Sequence, residues 1–390
     1  MERIVELGTL ITPAKTVRCG NGTYPVLSMT MHNGLVFQDE KFKKVIASKD
    51  TSDYKVVYRN QLVISFPIDE GVLAAQRITD AGIVSPAYGI WNIDQSQILP
   101  EFLEYALRCN RALQYYKAKL RGSTARRRSL PTPTLLAFTI PLPSIVEQKE
   151  ILVKIRRAKG LLEKREAQIR MLEELIKSRF VEMFGDPELN PMGWPVEALG
   201  GVLSVEPQNG LYKPQSDYVQ DGTGIPILRI DAFYDGKVTD FSGLKRLNCT
   251  DTERSRYLLM ENDVVINRVN SLEYLGKCAW ITGMMEPTVF ESNMMRFHVD
   301  ESRIDPCYMT RLLCSEFIYK QILNKAKKAV NQASINQRDV QSFKILVPPV
   351  GLQKQYAAFV AQVDKSKFAI QRSHDELELL FNSLMQQYFG

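Results

Sequence analysis

The clearest pattern in the chain is a pair of long segments in which apolar residues recur in alternating steps of four and three. One segment covers roughly residues 147–183 and the other 352–388, and each follows a short run, "IPLP" or "VPP", in which proline ends a strand-like stretch. This spacing predicts two helices, each with a coiled-coil stripe of about five heptads. Because such a helix spans about 55 to 60 Å, we expect struts rather than core helices.

The two stripes contain matching positions. A single helix of this kind would most simply pack on its own domain, whereas two matching helices favour packing on each other, since each buries the stripe that the other exposes. We therefore predict that Lys367 and His374 are seam or register residues and not ligands. The first stripe consists of Ile151, Ile155, Ala158, Leu162, Arg165, Ile169, Leu172, Ile176, Arg179 and Met183, and the second of Tyr356, Val360, Val363, Lys367, Ile370, His374, Leu377, Phe381, Leu384 and Tyr388.

Both helices belong to a larger internal repeat. Residues 135–152 align with residues 340–357 at a constant offset of 205, and that offset holds without a gap to the two Phe-Gly pairs at 184–185 and 389–390. Chance remains an alternative for the shorter upstream matches taken alone, but the gapless downstream block argues against it for the repeat as a whole. The upstream matches are "PVL" (25–27) with "PIL" (226–228), "NQLVIS" (60–65) with "NDVVIN" (262–267) and "LGTL" (7–10) with "LGGV" (199–202).

The rest of the chain alternates short β-rich runs with turns rich in Gly, Pro, Asn and Asp. Strands are predicted within 54–66, 263–269 and 342–347, and helices over 100–120 and 306–326, each with proline near its start. The fold class is therefore predicted to be mixed α/β (α+β), with two tandem domains separated by two long antiparallel coiled-coil helices and a pseudo-twofold internal repeat. The predicted boundaries are 1–143 and 144–185 for the first domain and helix, and 186–349 and 350–390 for the second domain, with its linker, and the second helix.

Composition limits the possible chemistry. The 390 residues are 45% apolar, which suits a globular protein of two domains, and a formal charge of +6 permits a polyanionic partner without requiring one. The six cysteines are scattered without a C-x-x-C pair or a zinc pattern, so we expect reduced thiols and no metal site. The N-terminus lacks a signal-like apolar core and no run of about 18 apolar residues occurs, so we expect a cytoplasmic protein without a membrane partner.

A basic segment follows each predicted amphipathic helix. The alternative for one such segment is a solvated face, but its recurrence in both halves favours contacts with phosphates, and the neighbouring hydroxyl and amide groups suit phosphates or base edges. The candidates are Lys117, Lys119, Arg121, Ser123, Thr124, Arg126, Arg127 and Arg128 in the first half, and Lys325, Lys327, Lys328, Asn331 and Gln332 in the second.

Polar residues near predicted strand ends are the candidates for base contacts, on the expectation that they are exposed. Each could equally be an ordinary surface or turn residue. They are Arg77, Ser85 and Tyr88 in the first half, and Arg229, Asp231, Asn267, Arg268, Asn293 and Arg296 in the second.

Five sequence stretches carry a resemblance to a known family. They are "IPLPSIVEQKEI", "SRFVEMFGDPELNPMGWPVEALG", "GIPILRI", "NDVVINR" and "ILVPPVGLQKQ". Across essentially its full length the chain resembles the specificity subunit of type I restriction-modification systems. The second copy departs from the motif with Leu352 where the first has Glu147.

The resemblance implies a non-catalytic subunit in which each of two target recognition domains reads one half of a bipartite sequence in double-stranded DNA. It implies that the antiparallel helices set the unread gap and dock two modification subunits, which bind S-adenosylmethionine and methylate adenine. In the full assembly, restriction subunits would translocate and cut the DNA. No cofactor is expected in this chain itself.

The residues argue against an enzymatic function. An adenine methyltransferase needs a [DN]-P-P-[YF] motif, and "LVPPV" (346–350) lacks both flanking groups; no G-x-x-x-x-G-K-[ST] phosphate loop is present either. Three histidines, His32, His298 and His374, offer no convincing Ser-His-Asp set. The remaining alternative is a non-catalytic coiled-coil scaffold or protein-interaction module without specific DNA binding.

Overall fold

The computed structural model describes residues 3–31, 33–41, 50–66, 68–120, 130–330 and 332–390. The chain divides into two compact units. Unit 1 comprises residues 1–168 and 370–390, and unit 2 comprises residues 169–369. Among the described residues, no helix is both long enough and apolar enough to cross a membrane.

Among its described residues, unit 1 contains a four-stranded sheet and three two-stranded sheets, and the helices α2 and α3 pack against the four-stranded sheet. The sheets have the strand orders β2-β9-β6-β7, β3-β4, β5-β8 and β1-β10. The strands are β1 (Ile4–Glu6), β2 (Ile11–Pro13), β3 (Leu27–Thr30), β4 (Gly34–Phe37), β5 (Lys55–Tyr58), β6 (Leu62–Ile64), β7 (Leu73–Ala75), β8 (Ala81–Val84), β9 (Gly89–Ile93) and β10 (Thr139–Pro141). The helices are α1 (Gln38–Lys41), α2 (Pro100–Arg108), α3 (Asn110–Lys119), α4 (Thr132–Leu136) and the first part of α5 (Ile145–Phe184).

Unit 2 is built around a six-stranded sheet of order β12-β22-β18-β20-β16-β15, with smaller sheets β13-β17-β14-β21, β19-β24-β23 and β11-β25. Its strands are β11 (Val196–Ala198), β12 (Leu203–Asn209), β13 (Tyr218–Val219), β14 (Ile225–Leu228), β15 (Phe233–Tyr234), β16 (Gly236–Val238), β17 (Arg246–Leu247), β18 (Val264–Asn267), β19 (Val269–Asn270), β20 (Cys278–Trp280), β21 (Val289–Phe290), β22 (Met294–Val299), β23 (Lys327–Lys328), β24 (Ala333–Ser334) and β25 (Lys344–Leu346). Its helices are α6 (Asp251–Tyr257), α7 (Pro306–Leu313), α8 (Glu316–Lys325), α9 (Gln337–Gln341) and the first part of α10 (Val350–Phe389).

Several sequence matches have the same local structure in both units. β1 pairs antiparallel with β10 in unit 1, and β11 pairs antiparallel with β25 in unit 2. Next to these pairs, the Leu7 amide donates to the Phe138 carbonyl at 2.8 Å and the Leu199 amide donates to the Phe343 carbonyl at 2.8 Å. The mixed α/β fold is therefore confirmed, with equivalent strand pairs leading into each long helix.

The "NQLVIS" and "NDVVIN" strings also match in backbone conformation. Asn60 and Asn262, which begin them, both adopt the left-handed region, with φ of 68° and 70°. Asparagine tolerates this region better than most residues, so it suits the turn that leads into β6 and into β18. The predicted strand over 54–66 is in fact two strands, β5 and β6, joined by this turn.

The two predicted amphipathic helices are each interrupted. The helix predicted over 100–120 is α2 and α3, separated at Cys109, whose ψ of 160° is extended rather than helical. The helix predicted over 306–326 is α7 and α8, and the Ser315 side chain caps α8 by accepting from the Ile318 amide. Apolar periodicity continues across both interruptions, which is why the pattern alone did not predict them.

The two long helices, α5 and α10, begin two residues earlier and end one residue later than predicted. In unit 1, Lys154 donates to the Tyr388 hydroxyl at 3.2 Å, while Glu166 lies 3.7 Å from His374. Rising residue numbers in α5 thus meet falling numbers in α10, so the two helices run antiparallel within this unit.

Unit 2 contains the other ends of the same helices, also antiparallel. Glu173 of α5 pairs with Lys367 of α10, and the Tyr356 hydroxyl lies 3.4 Å from the Ile176 carbonyl, to which it donates. In both units, none of the stripe residues is exposed. Lys367 and His374 therefore lie in the stripe as predicted, and each faces a glutamate of α5.

A buried glutamine links each long helix to its unit by the same hydrogen bonds. Gln148 Oε1 accepts from the Leu99 amide at 2.8 Å, and its Nε2 donates to the carbonyls of Gln97 and Pro143. Gln353 Oε1 accepts from the Asp305 amide at 2.8 Å, and its Nε2 donates to two further carbonyls, one of them at Pro348. Each side chain therefore satisfies three backbone groups at the start of its long helix.

Replacing Gln353 with leucine should lower the free energy of unfolding by about 2–4 kcal/mol, because three buried backbone groups lose their partner at similar side-chain volume. The control is Gln371→Leu, an exposed residue of the same helix, which should change stability by less than about 0.5 kcal/mol. Denaturant midpoints of the two variants measure the difference. Equal losses of unfolding free energy in the two variants would show that the buried hydrogen bonds of Gln353 do not contribute to stability.

Candidate nucleic-acid interface

The basic segment of unit 2 forms an antiparallel ribbon of β23 and β24, with Lys327 opposite Ser334 and Lys328 opposite Ala333. We call β23, β24 and their connection the basic ribbon. Both lysines are exposed, as is Gln332, and the side chain of Val330 near the tip is 99% exposed. A two-stranded ribbon is one of the elements that the major groove of DNA accommodates. The ribbon therefore has the shape and charge for a groove contact.

Buried residues hold the basic ribbon on unit 2. β24 pairs with β19, and the Ile335 amide that follows β24 donates to the Arg268 carbonyl at 3.0 Å. Arg268 Nη1 in turn donates to the Ser292 carbonyl at 3.2 Å, and its amide donates to the Asn293 carbonyl at 2.8 Å. The structure thus brings Arg268 and Asn293, two of the predicted base contacts, beside the basic ribbon.

The other sequence candidates in this segment have different degrees of exposure. Lys325 is half-buried at the end of α8, and Asn331 lies outside the described residues. In unit 1, Lys117 and Lys119 are exposed in the last turn of α3. The remaining candidates of that segment also lie outside the described residues: Arg121, Ser123, Thr124, Arg126, Arg127 and Arg128.

Arg229 and Asp231 form a second polar group in unit 2. Arg229 lies over the Tyr218 ring, 5.8 Å from its centre, and donates to the Tyr218 hydroxyl at 3.3 Å. Its Nε is 3.7 Å from exposed Asp231 and 4.0 Å from Glu291. Burial raises the pKa of Glu291, whose Oε1 accepts from the Ile230 amide at 2.6 Å. Arg229 and Asp231 also line a cavity of about 290 Å³.

Two predicted base contacts are internal, contrary to the expectation that they are exposed. Asn267 is fully buried at the end of β18, and its Nδ2 donates to the Tyr274 carbonyl at 3.4 Å. Arg296 of β22 donates to Asp263 at 3.1 Å and to Gln208 at 3.2 Å. β18 and β22 are inner strands of the six-stranded sheet, so their side chains have neighbours on both sides.

In unit 1 the predicted base contacts are partly engaged within the protein. Arg77 pairs with Glu101 at 3.0 Å and with Glu104 at 3.5 Å. Ser85 and Tyr88 are half-buried in one turn, where the Tyr88 amide donates to the Ser85 carbonyl at 3.1 Å. No contact with DNA follows from these positions alone.

Lys277 is a polar residue of unit 2 that sequence reasoning missed. Its Nζ lies 3.7 Å from the centre of the Tyr234 ring and 4.9 Å from that of Phe233, and it donates to the Ile230 carbonyl at 2.8 Å. Burial lowers the pKa of this amine. The two shorter ring contacts come from residues about forty positions away in sequence, so a local pattern could not have indicated them.

One group of possible metal ligands occurs among the described residues. His374, Asp375 and Glu378 of α10 place ligand atoms within 4.8 Å of one another. Both carboxylates are exposed, and His374 lies in the stripe that faces α5 within unit 1. The group therefore does not change the assignment of His374 to the helix seam.

Comparison with known proteins shows which proteins the chain resembles. Residues 191–379 match the family model of the type I restriction modification DNA specificity domain. The type I restriction enzyme MjaX specificity subunit of Methanocaldococcus jannaschii is 32% identical over 201 residues, 51% of this chain and 46% of that protein. The EcoKI specificity subunit of Escherichia coli K12 is 24% identical over 270 residues, 64% of this chain and 55% of that protein. The chain spans about half the length of the curated relatives it matches.

Solved structures agree in fold. The S subunit of a type I restriction-modification system from M. genitalium aligns with a TM-score of 0.59 at 13% identity, over 100% of this chain and 96% of that one. A chain from a study of complex assembly and conformational transition of the type I system aligns with a TM-score of 0.55 at 18% identity, over 99% of this chain and 97% of that one. Residues 191–379 therefore match the DNA specificity domain, and the whole chain is similar in fold to these type I restriction-modification chains.

Proposed function

We propose that this chain is the DNA-recognition subunit of a type I restriction-modification enzyme. Residues 1–143 and 186–349 are two target recognition domains that arose as tandem copies, and each reads one half of a bipartite target in double-stranded DNA. The observation that carries the proposal is the match of residues 191–379 to the DNA specificity domain, a range that includes the basic ribbon. The chain itself performs no catalysis.

The hydrogen bonds shared by the two units support the tandem-copy part of the proposal. Gln148 and Gln353 each bind three equivalent backbone groups, and equivalent strand pairs precede α5 and α10. Two related domains in one chain suit a target of two separated half-sites, as paired recognition modules do in other DNA-binding proteins. The helices of residues 144–185 and 350–390 then set the length of DNA between the half-sites.

The helices also supply surfaces for partner subunits. Phe368 of α10 is 74% exposed, and Met171 of α5 is exposed to a similar degree, although an isolated helix surface would normally be polar there. We propose that such residues help dock two modification subunits, which bind S-adenosylmethionine and methylate the DNA. Restriction subunits complete the assembly in a cytoplasmic complex.

The decisive experiment measures binding of the chain, together with its modification partner, to DNA. The methylated sequence is first obtained by mapping modified adenines in cells with and without the gene. Duplexes with both half-sites, with one half-site scrambled and with both scrambled are then compared over a range of salt concentrations. The proposal requires preference for the intact site and affinity that falls steeply with salt. Equal binding to all three duplexes would favour a scaffold without specific DNA recognition.

The basic ribbon gives this experiment a residue-level prediction. Replacing Lys327 and Lys328 with alanine should weaken binding to intact and scrambled duplexes alike. The slope of log K against the logarithm of the salt concentration should become shallower by about one for each phosphate that a lysine no longer neutralises. The matched control is Lys365→Ala, an exposed lysine of α10 that is not a candidate contact. An unchanged salt slope in the double variant would remove the basic ribbon from the interface.

A further inference from the structure

We infer that Cys278 and Cys314 of unit 2 are a modification site, at which a hydroperoxide oxidises two thiols to a disulfide. The inference concerns chemistry that DNA recognition does not use, and it does not depend on the proposed function. It rests on the placement of two cysteines that are separated by 36 residues in sequence.

The two sulfur atoms lie 3.5 Å apart. Cys278 begins β20 and is buried, with its Sγ 3.7 Å from the Thr310 carbonyl. Cys314 directly follows α7, and it is an exposed residue. A disulfide requires about 2.05 Å between the sulfurs, so they must close by about 1.5 Å through rotation of the two side chains. The pair thus combines a buried cysteine with a cysteine whose residue is exposed, and their sulfurs are already in contact.

A cavity of about 410 Å³ reaches the pair. Cys278 and Cys314 both line it, together with Tyr274, Lys277 and Tyr319. Its volume is far larger than that of hydrogen peroxide or a small alkyl hydroperoxide. A small oxidant can therefore approach the sulfur of Cys314 without unfolding of the unit.

The surroundings give the two thiols different roles. The hydrogen-bond contact between the two sulfurs, in which either thiol can donate, lowers the pKa of Cys314, and the positive charge of Arg311 acts in the same direction. The same hydrogen bond, together with burial, raises the pKa of Cys278. Because the thiolate is the reactive form of cysteine, Cys314 is the nucleophile and Cys278 is the resolving thiol.

The reaction balances without any further component. The Cys314 thiolate attacks one peroxide oxygen, the O–O bond breaks, and the sulfenic acid of Cys314 forms as hydroxide leaves and takes up a proton as water. Cys278 then attacks the sulfenic sulfur, the S–O bond breaks, and a second water carries away the hydroxyl with the Cys278 proton. One hydrogen peroxide is reduced to two waters while two thiols are oxidised to one disulfide, and an alkyl hydroperoxide gives one alcohol and one water instead.

Other cysteines serve as internal references. Cys249 is half-buried, and burial raises the pKa of its thiol, with nearby Glu253 acting in the same direction. Cys307 is buried, which raises its pKa to about 12. Among the described residues, neither has a sulfur contact with another cysteine. Reaction at the pair is therefore distinguishable from general oxidation of the chain.

The test uses the full chain, treated with hydrogen peroxide at a stoichiometric amount and then with a maleimide that blocks the remaining thiols. Peptide mass spectrometry should find the peptides of Cys278 and Cys314 joined, lighter by two hydrogen atoms and separated again by dithiothreitol. We expect Cys314 to react faster than Cys249, because the pKa of Cys314 is lowered whereas that of Cys249 is raised, and the thiolate is the reactive form. Reaction of Cys249 at an equal or higher rate would overturn the inference.

Two variants separate the roles of the thiols. Cys278→Ala should leave a sulfenic acid on Cys314 that dimedone traps, whereas Cys314→Ser should leave Cys278 unoxidised at the same peroxide dose. Circular dichroism spectra of both variants check that they fold. If Cys278 oxidises without Cys314, or if the parent chain accumulates sulfinic acid at Cys314 instead of the joined peptides, the pair is not a disulfide site.

Discussion

Replacing Phe389 with alanine is expected to lower the free energy of unfolding of unit 1 by about 3–5 kcal/mol, the range typical of removing a buried aromatic side chain. Phe389 is the last residue of α10 and is fully buried. Its ring centre lies 4.9 Å from that of Phe102 and 6.3 Å from that of Tyr105. The variant removes this ring packing and leaves a cavity that the backbone of α2 cannot fill by small movements.

The backbone carbonyl of the same residue, which the alanine variant keeps, contacts the same region. The Phe389 carbonyl accepts from Arg111 Nε at 3.2 Å and from Cys109 Sγ at 3.4 Å. Both donors lie where α2 gives way to α3, so the end of α10 stabilises the interruption between the two helices. Hydrogen exchange should therefore increase most in α2, α3 and the last turns of α10, because these segments pack around the same ring.

Two further variants make the measurement specific. Leu379→Ala, on the same helix but 71% exposed, should change stability by less than about 0.5 kcal/mol. Phe184→Ala removes the matching residue of α5, which packs against Phe180, Tyr308 and Tyr356 in unit 2. In the Phe184→Ala variant, hydrogen exchange should increase in unit 2 instead of unit 1. If Phe389→Ala behaved like Leu379→Ala, the burial of this ring would not stabilise unit 1.

The sequence repeat predicted that Phe184 and Phe389 are equivalent, but not where each ring packs. Matching residues reveal shared local structure, and the identical bonds of Gln148 and Gln353 agree with that. The choice of partner depends on contacts between residues far apart in sequence. Phe389 packs on Phe102 nearly three hundred residues earlier, and no local periodicity encodes such a contact.

The candidate interface was only partly predictable from the sequence. The excess of positive charge after the second amphipathic segment is visible in sequence, and Lys327 and Lys328 are exposed as a charge run usually is. Asn267 and Arg296 looked equally suitable, because a polar residue near a strand end is commonly exposed. Whether such a residue is buried depends on the strand's neighbours in the sheet, and β18 and β22 are inner strands only because of long-range pairing.

Replacing Asp263 with alanine is expected to cost about 3–5 kcal/mol of stability, because breaking a buried ion pair leaves the partner charge uncompensated. The Asp263 side chain is 1% exposed. It accepts from Arg296 Nη1 at 3.1 Å and from the Met260 amide at 2.8 Å, and lies 3.0 Å from His298 Nδ1. Urea unfolding monitored by circular dichroism, with hydrogen exchange of β18 and β22, measures the loss.

The equivalent turn in unit 1 has amide side chains in place of this ion pair. There Gln61 Oε1 accepts from the Tyr58 amide at 2.8 Å, as Asp263 does from Met260, and Gln61 Nε2 donates to Asn92 at 2.8 Å. Neutral amides satisfy the same turn without an arginine. Asp263→Asn keeps the shape of the side chain and can still accept from the Met260 amide. We therefore expect its free energy of unfolding to lie between those of the parent chain and the alanine variant. The loss relative to the parent chain then measures the contribution of the charge that faces Arg296.

An exposed ion pair provides the control for the Asp263 variants. Asp80 pairs with Arg59 at 2.9 Å, but its side chain is 96% exposed, so Asp80→Ala should cost less than about 1 kcal/mol. Arg296→Ala should resemble Asp263→Ala in stability, because it leaves the carboxylate buried without its cation. If Arg296→Ala instead left stability unchanged and altered which DNA half-site is bound, Arg296 would be a base-reading residue. The internal geometry of Asp263, Arg296 and Gln208 predicts the first result.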